Sequence, residues 1–253
     1  MAGGVLSAHV VIGAGEVGKA LFKVLSRRYR TVLRDIADGE LVGDVEAIHV
    51  AFPFGPSFVG DCLRYIRLYG PRLVLVHSTV PIGTTISLGQ NAVHTPVEGL
   101  HPNLEASILA FCKHFGGARA SEASWIFERL GIQVKTYGRP EITEAQKALS
   151  TSQYGLSLLV AKELEAFCRD HGLDYKAVVL DYTETYNSGY SELGFDRFRR
   201  PALFPPQGKI GGHCIVQNAG LVAAQKYPLL SMLADANGEK INHAEAISNH
   251  SSV

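Results

Sequence analysis

The sequence has no net charge, because 24 Lys+Arg offset 24 Asp+Glu. Without a basic excess there is no whole-molecule field to gather nucleic acid or an anionic membrane surface, so neither is expected as a partner. Cysteine is scarce. Cys62, Cys112, Cys168 and Cys214 stand far apart, with no CxxC and no metal-type cluster, which speaks against a disulfide framework and suits a reducing cytoplasm. No apolar run approaches the about 18 residues of a membrane-spanning helix. The first residues hold no basic segment ahead of an apolar one, so no signal peptide is expected. Histidine motifs are also missing: no HxH, HxxxH or HExxH occurs. His49, His77, His94, His101, His114 and His213 are therefore read as scattered loop and surface residues, not metal ligands. His213 stands apart only because it neighbours Cys214, whose thiol it can tune.

What is present is ordinary globular composition, 46% apolar over 253 residues, enough for one large domain with a smaller one beside it. His9–Ile12, Thr31–Arg34, Ala47–Ala51 and Leu73–Val76 are short β-branched runs bounded by turn residues, as strands buried on both faces tend to be. Between them Glu16–Ser26 and Phe58–Leu68 carry apolar residues at helical spacing. This alternation predicts an α/β fold with a doubly wound, Rossmann-type parallel sheet. Val93, Phe111–Gly117 and Gln133–Thr136 are expected to extend it.

After about residue 140 the texture changes. Thr143 with Gln146 reads as a capping box, and Leu149, Leu156, Leu159, Val160, Leu164 and Phe167 recur at helical spacing up to Gly172. One long helix is expected, ending at Gly172 as its C′ residue, with only Gly155 to interrupt it. A helix of that length bridges two domains or packs on a partner subunit. Asp181–Pro206 reads as irregular structure with short helical pieces, Gly211–Gly212 introduces a further helix, and the tail from Ala236 is expected to fray. The expected division is a dinucleotide-binding domain, 1–140, and a smaller α-helical domain with the long helix, 141–253.

Chemistry-bearing residues gather in four places. Gly13-Ala14-Gly15-Glu16-Val17-Gly18 lies between a strand and a helix. In that setting Gly13 permits the tight turn, Gly15 brings the backbone with Glu16 and Val17 close to a pyrophosphate, and Gly18 lets helix and strand pack. Asp35 follows roughly 20 residues on, where a carboxylate accepts hydrogen bonds from an adenosine ribose and favours NAD over NADP. His77-Ser78-Thr79-Val80-Pro81-Ile82-Gly83-Thr84-Thr85 puts hydroxyls and a turn at the carboxyl edge of the sheet, with Ser78 and Thr79 facing the cofactor side. On the long helix Lys147, Thr151 and Tyr154 share one face, and a lysine there can polarise a carbonyl or stabilise an alkoxide. Last, Gly208-Lys209-Ile210-Gly211-Gly212-His213-Cys214 sets a cysteine behind glycines near a helix N-terminus, a setting that lowers a thiol pKa.

In this order VVIGAGEVG, HSTVPIGTT, the helix with Lys147, and GGHC resemble the UDP-glucose/GDP-mannose dehydrogenase superfamily, from about residue 9 to about residue 235. The resemblance implies a nucleophilic Cys214 that captures an aldehyde and passes through a thioester. It implies oxyanion stabilisation by Lys147, positioning by Thr79, water activation by Glu98, and a structural Glu163. It also exposes departures. Thr151 stands where the family has asparagine, Asn218 where it has aspartate, and Lys209 at a usual glycine. The family's C-terminal nucleotide-sugar domain has no counterpart in this length, so a compact sugar derivative is the expected substrate.

Three functions stay open at this point. The first is an NAD-dependent dehydrogenase of an alcohol or aldehyde through a Cys214 thioester. The second is a single-step hydride transfer of the β-hydroxyacid type with Lys147 as acid/base. The third is a binding, regulatory or non-redox protein on the same fold, with Asn218 and Thr151 marking a degenerate oxidative site. A homodimer through the long helix is expected in each case.

Overall fold

The computed structural model describes residues 7–35, 43–100, 102–210, 213–222 and 227–236. His101, Gly211, Gly212 and the tail beyond Ala236 lie outside the described residues, as do the side chains of His213 and Cys214. The chain forms two compact units, Met1–Lys147 and Ala148–Val253.

In the first unit the β-branched runs become strands β1 (Ala8–Ile12), β2 (Thr31–Arg34), β3 (Val45–Val50) and β4 (Leu73–Val76), followed by β5 (Ala92–His94), β6 (Lys113–Gly116) and β7 (Val134–Tyr137). They form one sheet in the order β2-β1-β3-β4-β5-β6-β7. Every pairing is parallel except β5 with β6, where His94 faces Gly116. The chain leaves β1 to one side for β2 and returns on the other side for β3, so the topological switch point falls at the carboxyl end of β1.

Helices cover both faces, because residues alternate across each strand. Val10, Ile12, Ile48, Val50, Val74 and Val76 pack with Phe58, Cys62 and Tyr65 of α2 (Phe58–Tyr69). Val11, Ala47, Leu75 and Phe115 pack with Leu21, Val24 and Leu25 of α1 (Glu16–Ser26), Ile108 of α3 (Leu104–Ala110) and Phe127 of α4 (Ala120–Glu128). The doubly wound sheet expected from the sequence is therefore the observed one.

The long helix is α5, Pro140–Asp170. It starts three residues earlier than expected and without the capping box. Thr143 and Gln146 lie inside it, and their side chains bond His94 and His114 instead. Its end follows the expectation: Gly172 has φ +66°, its N–H reaches the Arg169 carbonyl, and the Leu173 N–H reaches that of Cys168.

In the second unit Gly155 has a packing reason. A Cβ there would strike Ile215 of α7 (His213–Val222) and Leu233 of α8 (Pro228–Ala234). Those residues form a small core with Leu158, Ile210 and Ala219. Asp181–Pro206 is more ordered than expected, since a π-helical turn, Lys176–Asp181, runs straight into α6, Tyr182–Glu192. Tyr182, Tyr186 and Tyr190 recur one turn apart, with Tyr186 and Tyr190 4.8 Å between centroids, so ring contacts offset the modest helix propensity of the segment.

The histidines overturn their expected place. His9, His49, His77 and His94 are buried in the first unit. His9 lies beside Ala47, His49 beside Leu75, and His77 just beyond β4, so the three climb diagonally across β1, β3 and β4 toward the carboxyl edge. Nδ1 of His9 meets Nε2 of His49 at 3.0 Å, Nδ1 of His49 meets Nε2 of His77 at 3.0 Å, and Nδ1 of His77 meets the Thr95 carbonyl at 2.9 Å. A carbonyl only accepts, so His77 must carry its proton on Nδ1, and by succession so must His49 and His9.

Burial holds all four imidazoles neutral, with His9 lowered to about 4 and His94 to about 3, and with His49 and His77 well below the usual value. Above the ordinary value of 6.5 neither folded nor unfolded histidine is charged, so these groups contribute no pH dependence there. Below it the unfolded chain takes up protons that the folded one refuses, and stability falls as pH drops. Each histidine adds about 1.4 kcal/mol per pH unit to that slope. Urea unfolding followed between the histidine and carboxylate ranges is expected to show this loss, and His49→Leu to show a shallower dependence.

Candidate functional site

The glycine turn is built by close approach. Gly13 has φ +107°, and a Cβ on it would lie 2.8 Å from the Ala51 carbonyl oxygen. A Cβ on Gly18 would overlap the Gly13 carbonyl. Packing alone therefore requires these two glycines. Gly15 differs: its φ is −72° and a Cβ there would meet nothing within 4 Å. It leaves open space at the N-terminus of α1, beside Glu16 and Val17, and as a glycine it brings no capping side chain of its own. Asp35, exposed, follows the last residue of the neighbouring β2. An open position before a helix N-terminus, with a carboxylate at the next strand end, fits a dinucleotide.

The loop after β4 is fixed by buried polar groups. Ser78 Oγ donates to the Phe52 carbonyl at 2.6 Å, which turns its hydroxyl toward β3. His94 Nε2 donates to the Ser78 carbonyl at 3.2 Å, so its Nδ1 accepts from the Thr143 hydroxyl at 2.9 Å. Further on, the Glu144 carboxylate accepts from the Gly83 N–H at 2.6 Å and the Thr85 N–H at 2.8 Å. Burial raises the Glu144 pKa, and the bonds from Thr85 and Gly83 oppose that rise. Thr79, half-buried, rides on the loop these groups hold.

At the end of β5 the chain runs Thr95-Pro96-Val97-Glu98. Lys147 Nζ donates to the Val97 carbonyl at 2.8 Å and pairs with Glu98 Oε2 at 3.2 Å. Lys147 thus joins the carboxyl edge of the sheet and is turned inward, with 17% of its side chain exposed against 42% for Glu98. The first unit brings Gly13, Gly15, Glu16, Val17, Gly18, Asp35, Ser78, Thr79, Glu98 and Lys147 to the strand ends of one sheet.

The second unit holds the remaining expected residues. Asn218 Nδ2 donates to Thr151 Oγ1 at 3.3 Å, so the two departures from the family pattern touch each other. Cys214 lies in the first turn of α7, one turn before Asn218. Glu163 and Lys209 are exposed.

Sequence reasoning missed His77, His94, Lys113, Thr143 and Glu144. A signal existed for Glu144, an acidic residue three positions before Lys147 on the same helix face. None existed for the histidines, whose partners lie on other strands. Among the described residues no group of His, Cys, Asp and Glu has the arrangement of a metal site, and no helix is long and apolar enough to cross a membrane.

No protein-family model matches the sequence, and no curated protein does. Solved structures do resemble the fold. A UDP-D-ManNAc dehydrogenase from Pyrococcus horikoshii superposes with a TM-score of 0.72 at 15% identity, covering 91% of this chain and 68% of that one. A UDP-glucose dehydrogenase from Pyrobaculum islandicum gives 0.67 at 18%, covering 94% and 69%. A 3-hydroxyisobutyrate dehydrogenase from Mycobacterium tuberculosis gives 0.67 at 17%, covering 91% and 92%. The chain therefore spans about two thirds of the nucleotide-sugar enzymes and nearly all of the hydroxyacid enzyme. At these identities the likeness establishes the fold.

Glu144→Gln tests the loop clamp. The amide sets an N–H₂ against one of two backbone donors, at a cost of about 2 kcal/mol. Hydrogen exchange at Gly83 and Thr85 is expected to accelerate by at least about tenfold, while β1 amides keep their protection.

Proposed function

We propose that the chain is an NAD-dependent dehydrogenase of a CH–OH group on a compact small molecule, with Lys147 handling the hydroxyl proton. One observation carries this reading: a single sheet edge presents both the open glycine turn with Asp35 and the Lys147–Glu98 pair. NAD would be held by the backbone of Gly13–Gly18 and by Asp35, and would supply the acceptor for the substrate hydride. The protein's own residues do the rest. Thr79 lines the approach on a loop that the Ser78 and Glu144 hydrogen bonds clamp. Lys147 takes the proton from the hydroxyl as the carbonyl forms, and its ammonium is oriented by the Val97 carbonyl and Glu98. In the reverse direction the same ammonium protonates the alkoxide. The named activities of the similar structures support a dehydrogenase.

A second reading adds a second oxidation of the same substrate carbon while it is bonded to Cys214, favoured by the place of that residue in the first turn of α7. The Cys214 thiolate would add to an aldehyde, NAD would supply the acceptor for the second hydride, and water would cleave the thioester to the acid. In either reading we take the protein to be cytoplasmic and homodimeric. The face of α5 bearing Val160, Leu164 and Phe167 is exposed in the single chain and would be covered by a second copy.

Calorimetry with NAD tests the cofactor. Gly15→Ala is expected to weaken binding by at least about tenfold while unfolding stays within about 0.5 kcal/mol of the parent. Gly18→Ala is expected to destabilise the fold by about 3 kcal/mol. A parent chain that binds no dinucleotide would overturn the proposal in favour of a binding or regulatory module. Product stoichiometry then separates the two chemistries. One NADH with a carbonyl product assigns the single step, and two NADH with an acid, lost in Cys214→Ala, assign the thioester.

A further inference from the structure

A second lysine lies behind the strand end that carries Glu98. Lys113, on β6, is 5% exposed, and its Nζ donates to the Thr95 carbonyl at 3.1 Å and the Pro96 carbonyl at 3.0 Å. The Thr95 carbonyl also accepts from His77 Nδ1 at 2.9 Å. We propose that Lys113 is a positioning residue of the candidate site: with His77 it fixes the Thr95 and Pro96 carbonyls and so sets where Val97 and Glu98 hold Lys147.

The geometry runs through four consecutive residues. Thr95 and Pro96 are gripped from behind by Lys113 and His77, and Val97 and Glu98 grip Lys147 in front. Pro96 has a fixed φ, so the Thr95 and Pro96 carbonyls cannot swing independently about that bond, and the residue after them carries the second grip. The Thr95 carbonyl only accepts, so His77 donates to it from Nδ1, and His77 Nε2 in turn accepts from His49.

An apolar residue would fill the space of Lys113 beside Phe127 and Phe115 without the cost of burying a charge. It would leave the Pro96 carbonyl without its donor. The lysine meets this demand in either charge state. Burial lowers its pKa to about 7, and the neutral amine still has two N–H bonds for two carbonyls.

This inference rests on the assignment of Lys147 and Glu98 to the site, but its test needs neither cofactor nor turnover. Lysine reactivity is read residue by residue, by competitive isotopic acetylation and mass spectrometry, in the parent, Lys113→Met and Lys113→Gln chains. Lys113→Met is expected to raise the reactivity of Lys147 about tenfold relative to exposed Lys135. Lys113→Gln, which keeps an N–H donor, is expected to fall between. Unchanged Lys147 reactivity in folded variants overturns the proposal, and so does an equal rise at Lys135, which signals general loosening. Failure of both variants to fold assigns Lys113 to the fold alone and also overturns it. A selective rise in a protein that binds no dinucleotide leaves the positioning role standing and removes only the proposed function.

Discussion

A parallel sheet must end its strands somewhere, and at its carboxyl edge the backbone groups have no further strand to bond. Buried groups of that kind cost free energy unless something else pairs with them. The first unit is organised around this demand. His77 and Lys113 take the carbonyls of Thr95 and Pro96, His94 takes that of Ser78, and Glu144 takes the N–H groups of Gly83 and Thr85. Each partner comes from a different element, so meeting the demand also ties β4, β5, β6 and α5 into one edge. The candidate site is the exposed side of that tie.

The glycine turn shows the same economy of space. Gly13 and Gly18 let α1 approach the sheet, and any side chain there would overlap backbone. Gly15 serves no packing purpose, because its surroundings are open. A turn with two glycines for the fold and one for open space is a turn shaped toward a ligand as well as toward a helix.

Much of this order is legible in the sequence, and the exceptions share a cause. Short β-branched runs, the glycine turn and the Gly172 stop each depend on neighbours within a few residues, and each lies where local reasoning puts it. The histidines do not. His9 and His49 are 40 residues apart, and only the register between β1 and β3 makes them bonding partners. Read singly, without strand partners in view, they look like loop and surface residues, although histidine is intermediate in burial. Thr143 and Gln146 failed as a capping box for the same reason, since their side chains answer to His94 and His114 on other strands. Lys147 was legible as a helical lysine, but the Val97 carbonyl that turns it inward was not.

Stability alone does not account for the Lys147–Glu98 pair. Glu98 keeps 42% of its side chain exposed, and pairs open to water contribute little, about 0–1 kcal/mol. The same Lys147 is nevertheless held by a backbone carbonyl at 2.8 Å, on a strand end braced from behind by buried hydrogen bonds. Bracing of that kind orders a charge whose energetic return to the fold is small. Fixed orientation matters instead when a charge must meet a bound molecule, since a group that need not reorganise gives its full interaction to what it meets; under the proposed function that is the role of Lys147. The contrast between a weak surface pair and its deep support is what separates Lys147 from the exposed ion pairs elsewhere on the first unit, such as Arg27 with Glu105.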